Sequence, residues 1–275
     1  MASTLADGLV WNVRAFWMLA AMWVRVSWSY RASFVLLLAG SLVITGIDFA
    51  SILVLFANVD RLGGFGLPDI AFLYGATTIG LGTADLVVGN VERLGQRIRM
   101  GTFDALMVRP VSVFVQVCAD GFALRRLGRI IQGAAVFGWS LTVVDVVWTP
   151  ARVLVTVSML LSGASVFTGL FVLGATFQFV STDASEVANA FTYGGNALTQ
   201  YPLTIYPREA VVGLTFVVPL AFVNWYPALF VLGRPDPFAL PGALRFASPV
   251  AALVVCGLAA WAWRTGVRHY RSTGS

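Results

Sequence analysis

The sequence predicts an all-α integral membrane protein with six transmembrane helices and an N-terminal amphipathic helix at the membrane interface. Hydrophobic residues make up 58% of the 275 residues and charged residues only 11%, with a mean hydropathy of +0.82. A soluble domain carries far more charge, about a quarter of its residues. The apolar residues also fall into runs close to the ~20 residues that a helix needs to cross a bilayer.

The segment 9–30 is predicted to be a helix that lies in the membrane interface. The residues of its apolar face recur at helical spacing: Val13, Phe16, Trp17, Ala20, Trp23, Val24 and Ser27. Arg14 and Arg25 project to the opposite side. A basic amphipathic helix rich in tryptophan is typical of a membrane surface. The alternative, a short first span, is disfavoured by Arg25 and Arg31.

Six apolar runs of spanning length follow this helix. The predicted spans are 33–57, 70–91, 130–148, 153–180, 211–232 and 246–263. They make the chain, residues 1–275, a single transmembrane domain with two large loops on one side, 92–129 and 181–210. Pro219 and Pro227 should distort the fifth span, as prolines do in membrane helices.

The placement of arginine predicts the orientation of the spans. The first large loop is strongly basic, with seven arginines: Arg93, Arg97, Arg99, Arg109, Arg125, Arg126 and Arg129. Because basic residues near span ends resist translocation, such a loop stays in the cytoplasm. With both termini on that side, fourteen arginines face inward and four outward, which predicts N-in, C-in.

Composition narrows the chemistry that the chain can perform. All eighteen basic residues are arginine, so the chain lacks the lysine with which a P-loop contacts nucleotide phosphates. If ATP drives the protein, another polypeptide binds it. Cys118 and Cys256 suit neither a disulfide framework nor a metal site, and His269 lies among arginines in the tail, so we predict no metal and no catalytic residue. We attribute the net charge of +5 to contact with lipid headgroups rather than nucleic acid.

Each cytoplasmic loop is predicted to contain a helix. In the first loop, Pro110 suits the first turn of a helix. An apolar stripe follows it: Val111, Phe114, Val115, Cys118 and Phe122. Such a stripe suits a membrane surface or a protein groove. In the second loop, Asp183 and Glu186 resemble a capping box for a helix that ends near two glycines, Gly194 and Gly195. Two Tyr-Pro pairs then force extended backbone.

Three segments of the chain resemble signatures of one protein family. Phe103–Ser112 reads FDALMVRPVS and is similar to the "LD-x-L-L-x-R-P-x-S" loop of certain bacterial permeases, with Phe103 where the family often has leucine. Tyr201–Pro207 and Val218–Ala228 resemble a second and a third signature. Together with the six spans and the interfacial helix, they make the chain resemble the membrane subunit of an ATP-binding cassette exporter of the type-two (ABC-2) permease class.

This resemblance implies partners and a set of coupling residues. It implies a permease of the bacterial plasma membrane that pairs with an identical or related permease, while ATP and magnesium are bound by a separate ATPase. A helix of the first loop would then couple the ATPase to the spans. The candidates for this coupling are Glu92, Arg93, Arg97, Arg99, Asp104, Arg109, Pro110 and Gln116. The alternative is that the arginines only anchor the loop to headgroups.

Three polar residues within the predicted spans are candidates for a substrate path: Asp48, Asp85 and Asn224. A charge in hydrocarbon costs several kcal/mol, so such residues usually face a cavity or the bundle interior. Asp48 could instead lie at the outer interface, and Asp85 could pair with a cytoplasmic arginine.

Small residues predict close packing between helices. Ala76, Gly80 and Ala84 form a small-xxx-small row on the second span, and Ser165 and Gly169 form a pair on the fourth. Rows of this kind let helices approach closely in lipid.

Two other classes of function remain open from the residues alone. An ATP-independent secondary transporter or channel tends to show inverted repeats, and the sequence has no convincing repeat. A membrane enzyme, such as a lipid-modifying transferase, needs a cluster of His, Asp or Glu at one membrane face. An apolar or amphipathic substrate fits the apolar interior, but the residues do not identify it.

Overall fold

The computed structural model describes residues 2–181 and 184–271, and the side chains among them except at 2–9 and 187. Within these residues the chain is all-α, as predicted, and has no β-strand. The α-helices there are α1 (Ala2–Ser29), α2 (Arg31–Phe56), α3 (Leu67–Val88), α4 (Leu94–Arg99), α5 (Thr102–Met107), α6 (Val113–Ala119), α7 (Leu127–Val143), α8 (Pro150–Phe177), α9 (Ser185–Thr199), α10 (Arg208–Val212), α11 (Trp225–Val231) and α12 (Ser248–His269). Shorter 3-10 turns occur at Gly89–Arg93, Leu124–Arg126, Leu203–Ile205, Leu220–Phe222 and Gly242–Phe246, and a π-helical turn at Gly213–Val217.

Four helices in the described part of the chain are long and apolar enough to cross a membrane. They are α2, α3 with its continuation to Arg99, α8 and α12. The segment 208–231 adds a fifth candidate only if its two halves, which are bent by 79°, count as one span. The helices α7 and α9 have only 17 and 15 residues, yet both pack beside the long helices. The four long helices overlap the predicted spans 33–57, 70–91, 153–180 and 246–263.

The centre of the bundle is α3, which is buried along most of its length. It packs so closely against α7 that a Cβ added at Gly75 would lie 2.7 Å from the backbone of Phe137. It also meets α8, where a Cβ at Gly80 would lie 3.3 Å from the backbone of Gly163. Helices approach this closely only where small residues leave room.

Two ion pairs mark the opposite ends of the bundle. Near the start of α3, an Arg234 nitrogen lies 2.7 Å from a carboxylate oxygen of Asp69. Near the end of α3, Arg126 Nε lies 3.0 Å from Asp85 Oδ1. We name these the Asp69 end and the Asp85 end, and the basic segment 92–129 lies at the Asp85 end.

The segment 181–210 is not a loop confined to one end of the bundle, which corrects the prediction. Its helix α9 starts against the last turns of α8, at the Asp85 end. The last residue of α9, Thr199, accepts a hydrogen bond from Thr77 in the middle of α3 at 3.1 Å. Further along, Thr204 donates a hydrogen bond to the carbonyl oxygen of Gly63, at the Asp69 end. The chain therefore runs the length of the bundle here.

Polar content explains why α9 was mistaken for part of a loop. Its buried threonines, Thr192 and Thr199, bond to backbone carbonyls of the same helix, so they lower the hydropathy without being left unpaired. Glu186 lies exposed in the first turn of α9, while Asp183 of the predicted capping box lies outside the described residues.

The predicted fifth span, 211–232, is also corrected. The chain bends by 79° between Arg208–Val217 and Leu220–Val231. Pro219 sits at the bend, where it removes a backbone N–H and stops the helix. The segment begins just after Thr204 and ends just before Arg234, so both of its ends lie at the Asp69 end.

The basic segment differs from its prediction in detail. The helix predicted after Pro110 corresponds to α6, and two further short helices, α4 and α5, precede it, with a left-handed Gly101 (φ +67°) between them. Pro110 precedes the third helix rather than opening it, because that helix begins at Val113. The N-terminal helix, predicted at 9–30, extends over Ala2–Ser29.

Candidate functional site

A turn between α5 and α6 projects from the Asp85 end. We name its residues 107–110, Met107 to Pro110, the tip. The amide of the buried Gln116 closes the turn by donating to the carbonyl oxygens of Leu106 at 3.0 Å and Val111 at 2.8 Å. Every residue of the tip is exposed, and Val108 has 85% of its surface free. The tip thus exposes apolar and basic side chains on a turn that is held by the hydrogen bonds of Gln116.

An ion pair holds the short helices of this loop together. Arg97 on α4 contacts Asp120, just after α6, with 2.6 Å between Nη1 and Oδ2. The Arg97 side chain is mostly buried, which strengthens the contact relative to a pair in free solvent. The pair thus connects the first helix of the loop to the residue that follows the last one.

Aromatic rings attach the same loop to two long helices. Phe103 of α5 packs edge-on against Phe179, just beyond α8, with centroids 5.6 Å apart. Phe114 of α6 packs edge-on against Trp263 of α12 at 5.1 Å. Phe103 also contacts Tyr270, at the end of α12, at 4.8 Å. Edge-to-face pairs add to the apolar area that such rings bury. The loop that carries the tip is therefore in contact with α12 and with the end of α8.

The predicted coupling residues fall into two groups. Those that a partner can reach are Arg93, Arg99, Arg109 and Pro110, which are exposed, and Asp104, which is half-buried. The remaining three do not present a surface. Arg97 forms an ion pair with Asp120. Gln116 is buried and holds the turn that carries the tip. Glu92 faces a cavity on the side of α2. Direct contact with a partner does not fit these three side chains, which corrects their assignment.

A cluster of charged side chains lies at the end of α3, next to the basic segment 92–129. Asp85 is bracketed by Arg126, whose Nε lies 3.0 Å from Oδ1 without the alignment of a hydrogen bond, and by Arg129 at 3.5 Å from Oδ2. Arg126 also donates to the backbone oxygen of Asp85 at 3.0 Å and to Asn90 Oδ1 at 3.1 Å. Asp85 thus pairs with arginines, the alternative left open by the sequence.

The other two candidates for a substrate path lie in contrasting environments. Asp48 is exposed on the apolar helix α2. Asn224 is buried, and its amide donates to the backbone oxygens of Leu73 at 3.0 Å and Thr199 at 2.6 Å and to Thr77 Oγ1 at 2.8 Å. Asn224 therefore ties the bent segment to α3 and α9, and its polar group is used within the protein.

The small residues singled out in the sequence lie where helices cross. Ala76, Gly80 and Ala84 are buried on α3. On α8, the Ser165 backbone oxygen accepts a contact from Cys256 Sγ of α12 at 3.3 Å. A Cβ at Gly169 of α8 would collide with Val255 of α12. The pair on α8 thus faces α12.

Sequence reasoning missed several polar contacts. It gave no role to Asp69, which pairs with Arg234, or to Tyr193, whose hydroxyl donates to Glu92 at 3.5 Å. It also missed the bond between Thr77 and Thr199. Contacts between residues that are distant in the chain leave no local pattern in the sequence. A threonine within an apolar run is a weak indication that its hydroxyl has a partner in the protein.

The buried cysteine of the loop is chemically quiet. Cys118 lies in the core, and burial raises the pKa of its thiol far above the usual range, since the thiolate loses its hydration. Among the described residues, no group of three or more His, Cys, Asp or Glu side chains is placed to hold a metal ion.

Fold and site together define the class: a multi-pass helical membrane protein with a structured basic loop at one end. The family model described as "ABC-2 family transporter protein" matches residues 42–274, so the chain belongs to the ABC-2 transporter family. Searches of curated proteins and of solved structures found no match. Membrane proteins of this family are typically non-catalytic permease subunits that associate with an ABC ATPase.

Proposed function

We propose that this chain is the permease subunit of an ATP-driven exporter in a bacterial plasma membrane. It forms the translocation path with a second permease chain, while a separate ATPase binds ATP and magnesium and hydrolyses the ATP. The observation that carries the proposal is the exposed tip, residues 107–110, on a loop that is bonded internally and attached to α8 and α12.

The contacts of the loop support a simple route for coupling. The apolar Met107 and Val108 enter a groove of the ATPase, and the neighbouring Arg109 pairs with a carboxylate there, for which its planar guanidinium is suited. When the ATPase closes, the tip is displaced. The ion pair between Arg97 and Asp120 keeps the loop rigid, so the displacement passes through the aromatic contacts to the long helices.

We infer a topology of six crossings with N-in, C-in orientation. The crossings are α2, α3, α7, α8, α9 and α12, and the bent segment 208–231 enters and leaves at the Asp69 end. In this arrangement Arg208 moves to the outer side, which leaves thirteen arginines at the Asp85 end and five at the other. This excess of arginine supports a cytoplasmic location for the Asp85 end.

The helix α2 supports the proposal of a second permease chain. Its most apolar stretch is only 11% buried, and Asp48 is exposed on it. A carboxylate facing lipid tails is costly, so such a residue needs a protein or an aqueous neighbour. We propose that α2 meets the second permease, or the path between the two chains, at the level of Asp48.

Affinity purification of the tagged protein from its native host, followed by mass spectrometry, tests the function. A P-loop ATPase at a stoichiometric level is the expected result, with a second permease if the pair is mixed. A stable, pure preparation without an ATPase contradicts the proposal and favours an ATP-independent transporter.

A further inference from the structure

A cavity of about 460 Å³ opens between α2 and the charged cluster at the Asp85 end. We name it the α2 cavity. One wall is apolar and includes Leu36, Leu37 and Ile44 of α2. The opposite wall is polar and includes Glu92 and Tyr193 together with four arginines, Arg93, Arg125, Arg126 and Arg129. We propose that the α2 cavity binds the phosphate headgroup of an anionic amphiphile, with its apolar chain lying along α2.

The charges of the cavity favour an anion. Among the described residues that line it, Asp85 and Glu92 are the only carboxylates, against four arginines. Asp85 is already paired with Arg126 and Arg129. Within the described residues, the side chains of Arg93 and Arg125 are exposed and form no hydrogen bond or ion pair. Two arginines thus remain available, and guanidinium groups bind phosphate oxygens strongly.

One acceptor in the cavity wall further defines the headgroup. Glu92 Oε1 is buried without a hydrogen-bond partner, while its Oε2 accepts from Tyr193. A buried acceptor without a donor is costly. A hydroxyl beside the phosphate, as in a glycerol headgroup, supplies that donor, whereas a choline headgroup has no N–H or O–H to give.

The apolar wall distinguishes an amphiphile from free phosphate. Leu36, Leu37 and Ile44 leave 73%, 53% and 65% of their surfaces free, although all three lie on a helix long and apolar enough to span a membrane. An acyl chain placed along this wall buries apolar surface that the protein itself does not cover, and each buried CH₂ contributes about 0.8 kcal/mol. Inorganic phosphate gains nothing from this wall.

Native mass spectrometry of the purified full-length chain in detergent tests the proposal, with added dioleoyl phosphatidylglycerol, dioleoyl phosphatidylcholine or inorganic phosphate. The wild type should bind one phosphatidylglycerol in preference to the other two. In the double variant R93Q/R125Q, affinity should fall on the order of 30-fold. Arg61→Gln at the Asp69 end is the control and should change nothing. Equal affinity in the double variant and the wild type overturns the proposal, as does displacement of the lipid by an equal concentration of inorganic phosphate.

A second pair of variants tests the apolar wall without removing charge. Gly40 lines the cavity with open space around it, so Gly40→Trp should block the chain path and weaken lipid binding. Gly46 on the same helix also has open space but does not line the cavity, so Gly46→Trp is the matched control. Equal lipid binding by these two variants contradicts the proposed chain path. Because no ATPase is present in the assay, the result is independent of the proposed export function.

Discussion

Thr204 donates a hydrogen bond to the carbonyl oxygen of Gly63, 3.0 Å away in space and 141 residues earlier in the chain. Gly63 has a positive φ of +58°, and a Cβ there would collide with Thr204 Oγ1. Glycine is therefore required both by the backbone conformation and by the close approach. The contact places the segment Tyr201–Pro207 beside the start of α3. The sequence had predicted it in the loop 181–210, on the same side of the membrane as the basic segment 92–129, but it lies at the opposite end of the bundle.

The first prediction concerns the side of the membrane on which these residues lie. In a chain with Cys118→Ala and Cys256→Ala, a cysteine at Thr204 should react with a membrane-impermeant maleimide added to intact spheroplasts. A cysteine at Val108, on the tip, should react only after the membrane is opened. The reason is that Thr204 and the tip lie at opposite ends of the bundle. Labelling of both positions from the same side would contradict the proposed topology.

The sequence was sufficient to locate those helices that are apolar over the length needed to span a membrane. Hydropathy located α2, α3, α8 and α12 because each is long and carries few charges. It failed for α9, since polar residues that bond to protein in the interior look the same in sequence as residues that bond to water. It also failed for 208–231, because an apolar run does not show whether the chain bends back.

The second prediction concerns Asn224, whose amide joins three elements. Replacement by leucine keeps the approximate volume but leaves the Thr199 carbonyl and Thr77 without this donor. We expect Asn224→Leu to lower the free energy of unfolding by about 1–3 kcal/mol. Thermal unfolding in detergent, followed by tryptophan fluorescence, measures the effect.

The control for this prediction is Asn58→Leu. Asn58 is exposed, and its amide donates only to Val54 of the preceding turn. Its replacement should leave the unfolding temperature nearly unchanged, because water supplies the lost bond. Equal effects of the two variants would show that the bonds of Asn224 contribute no specific stability.

The third prediction concerns the ion pair between Asp85 and Arg126. Both side chains are largely buried, so Asp85→Asn leaves the guanidinium without its counter-charge. Removing one partner of a buried pair typically costs about 3 kcal/mol or more. Stability of Asp85→Asn in the same unfolding assay should therefore fall by a comparable amount.

The double variant D85N/R126Q provides the check on this reasoning. Because no unpaired charge remains at position 126, it should recover part of the stability lost in Asp85→Asn. If the double variant is as unstable as the sum of the single variants, the two side chains do not act as a pair.

The candidate site was only partly visible in the sequence. The family signature identified Arg109 and Pro110 as candidates, and both are exposed. Identifying them required no knowledge of a tertiary contact, because an exposed tip has none. The internal roles of Arg97 and Gln116 depend on Asp120 and on two backbone carbonyls, which only the folded loop brings together. The sequence alone does not distinguish a charged or amide side chain that contacts a partner protein from one that contacts its own chain.

The fourth prediction tests the tip as the docking site for the ATPase. Val108→Asp places a carboxylate on the tip at a side chain that is 85% exposed, where burial in a groove would cost its hydration. The amount of ATPase recovered with the permease should fall about tenfold or more. The control is Val180→Asp, because Val180 is also highly exposed at the Asp85 end but lies just after α8, outside the loop. Quantitative mass spectrometry of both purified complexes gives the comparison. If Val180→Asp lowers recovery of the ATPase as much as Val108→Asp does, general charge at this face rather than the tip governs docking.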